Sequence, residues 1–119
     1  FLEPSATPTT VSAASTVLKL VGGTGIQITR NTFCGWYTTS VGAITSITTL
    51  NDNIEISHNF IFNQTTSSTK GIVLLTGSTG FVVNNRIQIL SGTAPITGDG
   101  VMWAGNYYAA AIATSGTLV

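Results

Sequence analysis

Acid–base chemistry in this chain has few residues to draw on: Glu3, Asp52, Glu55 and Asp99 are its carboxylates and His58 is its single histidine. Glycoside cleavage needs two carboxyl groups about 5–5.5 Å apart for retention or about 6.5–9.5 Å apart for inversion. Glu3 sits in a proline-containing N-terminal stretch, away from the other three. Asp52 and Asp99 fall in equivalent turns of a repeat described below, two repeats apart, which is about 10 Å at the spacing of paired strands. Asp52 and Glu55 are neighbours in sequence and could share a rim, with Glu55 facing solvent or a neighbouring subunit. A lyase that neutralises charge with Ca²⁺ needs several clustered carboxylates, and these are scattered. His58 has no second histidine or nearby cysteine to complete a metal site. It stands near Glu55, but nothing places a nucleophile beside it. The expectation is no catalytic residue, no metal and no cofactor.

Binding is the other chemistry on offer. Trp36, Tyr37, Trp103, Tyr107 and Tyr108 could present rings for stacking on sugars, with Tyr37 and Tyr107 the best exposed candidates for a glycan. The competing reading buries Trp36 and Trp103 in a core or at a subunit seam, where large rings remove most area from water. Cys34 is the only cysteine, follows Phe33 in an apolar stretch, and reads as a buried, inert thiol. Asn63-Gln-Thr65 matches a glycosylation sequon, a match expected by chance in a Thr-rich chain. An ice-binding face would need regular Thr-x-Thr on a flat strand, and the outward positions Lys19, Gln27, Glu55 and Met102 do not supply it.

The elements that must hold these side chains follow from composition and periodicity. Of 119 residues, 7% are charged, and four bases cancel four acids; an average domain is about 25% charged. Thr and Ser make up more than a quarter of the chain, with 13 Gly besides. Without clustered Lys and Arg there is no footprint for nucleic acid or for an anionic membrane surface. With 43% hydrophobic residues and a mean hydropathy of +0.39, charge-driven disorder is excluded. Apolar runs stay far short of the ~20 residues of a membrane helix. No signal peptide opens the chain, and a start at Phe1 rather than Met marks a processed product or part of something longer.

Residues 1–16 hold Pro4 and Pro8 among small polar residues and read as an extended arm or linker. From Val17 the pattern becomes short β-rich runs cut by Gly, Asn and Asp, with no helical period. One unit recurs as apolar-x-apolar-x-x-Asn-x-apolar: Ile26–Phe33, Ile54–Ile61 and Val101–Tyr108. A degenerate copy spans Gly80–Ile87, where Phe81 and Val83 could be the inward pair instead, with a shorter turn. The anchoring residues Asn31, Asn59, Asn85 and Asn106 are separated by 28, 26 and 21 positions. Each unit is preceded by another strand, at Val17–Val21, Ala43–Ile47, Ile72–Leu75 and the weaker Ala94–Ile96, and followed by a third. This period suits an all-β fold of very low helix content, a β-solenoid of about four coils over residues 17–112. Variable loops at about 37–42, 63–70 and 91–93 carry the length differences.

In such a stack every inward residue lies over its counterpart one coil away. The repeated Asn then has a structural role: it tolerates the left-handed conformation of a tight corner and can form a hydrogen-bonded ladder. Aligned charges would repel, so Thr and Ser take the surface. Exposed coil ends need covering, and residues 113–119, small and apolar, read as an extension for assembly contacts.

The I-x-I-x-x-N-x-F/I unit at Ile26–Phe33 and Ile54–Ile61 resembles the repeats of right-handed parallel β-helix proteins. These comprise pectate-lyase-like enzymes and the tail spikes, fibres and decoration proteins of bacteriophages. The Thr/Ser/Gly/Ala-rich, uncharged composition is most similar to the virion subset. That resemblance implies a structural, non-enzymatic protein on the surface of a virion. It also implies a homo-oligomer, typically a trimer, that contacts other virion proteins and displays a surface for host glycans. The alternative it implies is a fragment of a glycan-degrading tail spike with a site between subunits. It transfers no catalytic residue.

Overall fold

The structure, a computed structural model, describes residues 16, 18–35, 42–46, 48–63, 70–89, 96–98, 100–110 and 117–118. Among these the protein is all-β, built from short strands without helix. β-Branched residues separated by Gly, Asn and Asp give this result: each run favours the extended backbone and each break supplies a corner.

Three parallel sheets each take one strand from each of four successive repeats, in chain order. The first contains β1 (Leu18–Lys19), β5 (Ile44–Ser46), β9 (Ile72–Leu74) and β12 (Ile96–Thr97). The second contains β3 (Gln27–Thr29), β7 (Ile54–Ser57), β10 (Gly80–Val83) and β13 (Val101–Ala104). The third contains β4 (Thr32–Gly35), β8 (Phe60–Asn63), β11 (Arg86–Ile89) and β14 (Tyr107–Ala110). A small extra sheet pairs β2 (Gly23–Thr24) with β6 (Asn51–Asp52), where a plain turn was expected. At the end of the third sheet β15 (Thr117–Leu118) folds back antiparallel on β14, aligning Leu118 with Tyr107. Sequence gave no sign of that strand.

Register follows the repeated Asn. Ile28 pairs with Ile56, Ile56 with Val82 and Val82 with Trp103, while Phe33, Ile61, Ile87 and Tyr108 form the matching row of the third sheet. Leu18, Ile44, Ile72 and Ile96 form the row of the first. These rows make the hydrophobic core, in which Ile44, Ile54, Ile56, Ile61, Ile72, Val82 and Ile87 are fully buried. At about 1.5–3 kcal/mol per buried aliphatic side chain, this column is the main stabilising term. Thr16, at the end of the expected arm, donates its hydroxyl to the carbonyls of Gly42 and Ala43 at 2.7 and 2.9 Å.

Two expectations are corrected. In the degenerate repeat Val82, not Phe81 and Val83, faces inward, and the turn is not shortened: Gly80 pairs with both Ile54 and Val101. Gly80 adopts φ 127°, and a Cβ there would run into the Ile54 backbone, so close approach of two strands replaces a side chain. The left-handed corner residue is also not the repeated Asn. It is the residue before it, with φ 58° at Arg30, 57° at His58, 55° at Asn84 and 65° at Gly105. None of the four repeated Asn residues has a positive φ.

Candidate functional site

Two features could do something beyond filling a core: the row of asparagines and the outer face of the third sheet.

The asparagines lie one repeat apart, each at the corner between the second and third sheets. Asn59 Oδ1 accepts from the Asn31 backbone N–H at 2.9 Å and from its Nδ2 at 3.2 Å. Asn85 Oδ1 accepts the same pair from Asn59 at 3.0 and 2.9 Å. Asn106 Oδ1 accepts the pair from Asn85, both at 2.9 Å. Each Nδ2 also donates backwards to the strand of the preceding repeat: Asn59 to the Ile28 carbonyl, Asn85 to Ile56 and Asn106 to Val82, at 2.8–2.9 Å. Asn31, in the first repeat, donates instead to its own Thr29 carbonyl at 3.0 Å. Asn59, Asn85 and Asn106 are buried, so these amides satisfy backbone groups that water does not reach. A second polar corner joins Asn51, Ser46 and Ser78: Asn51 Nδ2 donates to Ser46 Oγ, and the Asn51 backbone N–H donates to Ser78 Oγ at 3.2 Å. Asn51 Oδ1 is buried with no partner among the described residues.

On the outer face of the third sheet, Phe60, Arg86 and Tyr107 occupy the same position of successive strands. The Arg86 guanidinium lies 5.5 Å from the Phe60 ring centroid and 5.9 Å from that of Tyr107, inside the range for cation–π attraction. Two positions along, Phe62 and Gln88 are paired, and Phe60 stacks on Phe62 with centroids 6.4 Å apart and rings 14° from parallel. Tyr107 is 40% exposed. Sequence reasoning singled out Tyr107 but missed Phe60, Phe62 and Arg86; their shared offset from Asn59 and Asn85 was the available signal.

The remaining candidates are dispersed. Tyr37 and Trp36 lie outside the described residues, as do Glu3 and Asp99 and most of the loops 37–42 and 63–70. Tyr108 faces inward and burial pushes its hydroxyl above the usual phenol range. Trp103 occupies an inward register position, yet half of it is exposed, because β13 is the outermost strand of its sheet among the described residues. Phe81 and Met102, paired at the neighbouring outward position, are exposed on the opposite face of the same sheet. Of the described carboxylates, Glu55 Oε1 accepts from the Ser57 hydroxyl at 2.8 Å and Asp52 Oδ1 meets Thr79 Oγ1 at 3.5 Å. His58 is an exposed corner residue.

Compared with protein-family models, curated proteins and solved structures, the chain matches none.

Proposed function

We propose that this chain winds as a right-handed parallel β-solenoid and serves as a non-enzymatic structural module of a bacteriophage virion: a fibre, spike or decoration protein. In this reading it assembles as a homo-oligomer, a trimer, against other virion proteins, and turns an outer face toward host glycans. The observation that carries it is the continuous amide ladder from Asn31 to Asn106, running beside three parallel sheets in common register. Such a ladder stiffens the stack along its length without placing charge on it, which suits a part whose task is mechanical. The exposed Met102 and Trp103 of the outermost strand β13, with Phe81 paired to Met102 on β10, on a chain of zero net charge, support self-association: apolar surface gains from contact and little charge opposes it.

Size-exclusion chromatography with light scattering on the full chain tests the assembly, with a mass three times that of the monomer expected. A stable monomer at micromolar concentration would refute the trimer. Incubation with host-type polysaccharide and a reducing-sugar assay tests the mechanical role. Turnover abolished by Asp52→Ala would overturn it in favour of a glycan-degrading spike.

A further inference from the structure

The outer face of the third sheet holds a cation between two rings, with no carboxylate beside it among the described residues. Arg86 is exposed, and its guanidinium lies within cation–π distance of both Phe60 and Tyr107. Its outward neighbours on the strands to either side are those two rings, and the next outward position of its own strand is Gln88. Among the described residues the carboxylates Asp52 and Glu55 lie on other sheets, occupied by Thr79 and Ser57. The two rings restrict a long side chain that would otherwise be mobile, so much of the entropy cost of engaging a ligand is met before binding. A guanidinium held against rings keeps its N–H edge for a planar, bidentate acceptor.

We propose that Arg86, held between Phe60 and Tyr107, is a binding site for the carboxylate of an acidic sugar. Arg86 is the one charged residue on the described strands of the third sheet, and one cation matches one negative charge; a nucleic acid or other dense polyanion requires several. Tyr107, 40% exposed, gives an apolar ring for the C–H face of the sugar, and the Gln88 amide gives a donor and an acceptor for its hydroxyls. The inference rests on the reading that this chain displays a glycan-facing surface, and it names the class of glycan and the residue that reads it.

Calorimetric titration of the full chain with oligomannuronate, with its carboxyl-reduced neutral form and with poly-glutamate tests the site, with light scattering on every sample. The wild-type chain should bind oligomannuronate, and at least tenfold more weakly the neutral form and poly-glutamate. Arg86→Gln should weaken oligomannuronate binding at least tenfold, and Arg86→Lys, which keeps the charge without the fork, should fall between. Mass and far-ultraviolet circular dichroism should be unchanged in both variants. No binding by the wild type, equal binding of the neutral form or of poly-glutamate, or retained affinity in Arg86→Gln would overturn the proposal. A drop in mass for Arg86→Gln would also overturn it, by assigning the residue to a contact between copies. Each readout holds whether the wild-type chain is a trimer or a monomer, so failure here is separable from failure of the assembly reading.

Discussion

Replacing Asn85 by Ala should cost far more than the same change at Asn31, and the difference can be worked out bond by bond. The Asn85 amide accepts two hydrogen bonds, from the backbone N–H and Nδ2 of Asn59, and donates two, to the Ile56 carbonyl and Asn106 Oδ1. Each buried bond contributes about 1 kcal/mol net, and a buried group left without any partner costs about 1–3 kcal/mol. Asn59 N–H loses its side-chain acceptor outright, while Asn106 Oδ1 keeps the Asn85 backbone N–H. The sum is about 4–6 kcal/mol, a large share of the roughly 5–15 kcal/mol available to a domain. Asn31→Ala removes two donor bonds at an exposed position, to Thr29 O and Asn59 Oδ1, and the Asn31 backbone bond to Asn59 survives. Its cost should be about 1 kcal/mol or less. Urea unfolding followed by tryptophan fluorescence measures both, with the shift in midpoint at constant slope giving the difference. Equal losses at the two positions would refute the ladder as a source of stability. Asn85→Asp adds a check on sign. One carboxylate oxygen keeps the two N–H donors of Asn59, but the other faces the Ile56 carbonyl and Asn106 Oδ1 in a buried site, and burial with that repulsion is expected to raise the folded pKa above the unfolded value. The variant should be most stable below the unfolded pKa of about 3.9 and lose that stability as pH rises through the folded pKa.

Gly80→Ile restores the apolar letter of the repeat yet should destabilise by about 3 kcal/mol or more, since it adds overpacking to backbone strain at φ 127°; a chevron or urea midpoint at or above wild type would contradict the register. His58→Gly relieves a left-handed corner worth about 1–2 kcal/mol against a loss of up to about 1 kcal/mol in chain entropy. A net gain of about 0.5 kcal/mol in thermal or urea unfolding is expected, whereas Asn59→Gly should be strongly destabilising. Burial raises the Tyr108 hydroxyl, so its contribution is intact below the unfolded phenol pKa of about 10 and falls as pH rises through the folded one. Tyr108→Phe should therefore reduce the dependence of the unfolding midpoint on pH above about 10, the range in which the phenol titrates.

The repeat was legible because a strand has period 2 and a corner has a narrow menu of residues. Ile26–Phe33 and Ile54–Ile61 announce strand, corner, strand in one line of sequence, and the spacing of Asn31, Asn59, Asn85 and Asn106 fixes which strands align. Sequence by itself therefore determined the all-β class, the inward rows and the anchors. It left the degenerate repeat open between Val82 and the pair Phe81 and Val83, because those two are as apolar as any inward pair. Only the partner strand shows that Gly80 must lie against Ile54 and that Val82 carries the core position. It also placed the left-handed corner one residue late: His58, Asn84 and Gly105 are of types that tolerate positive φ, but Arg30 is not, and the repeated Asn beside them carried the more regular signal.

What tertiary structure alone decided lies across strands rather than along them. Phe60, Arg86 and Tyr107 are separated by 26 and 21 residues and become neighbours only when parallel strands pair in register. The exposure of Trp103 depends on its strand being the outermost of its sheet, and β15 depends on antiparallel pairing with β14 that no local preference specifies. The physical reason is one of range. Periodicity and corner preference act over a few residues and are written into the sequence, whereas a surface site is assembled by hydrogen-bonded pairing between distant segments.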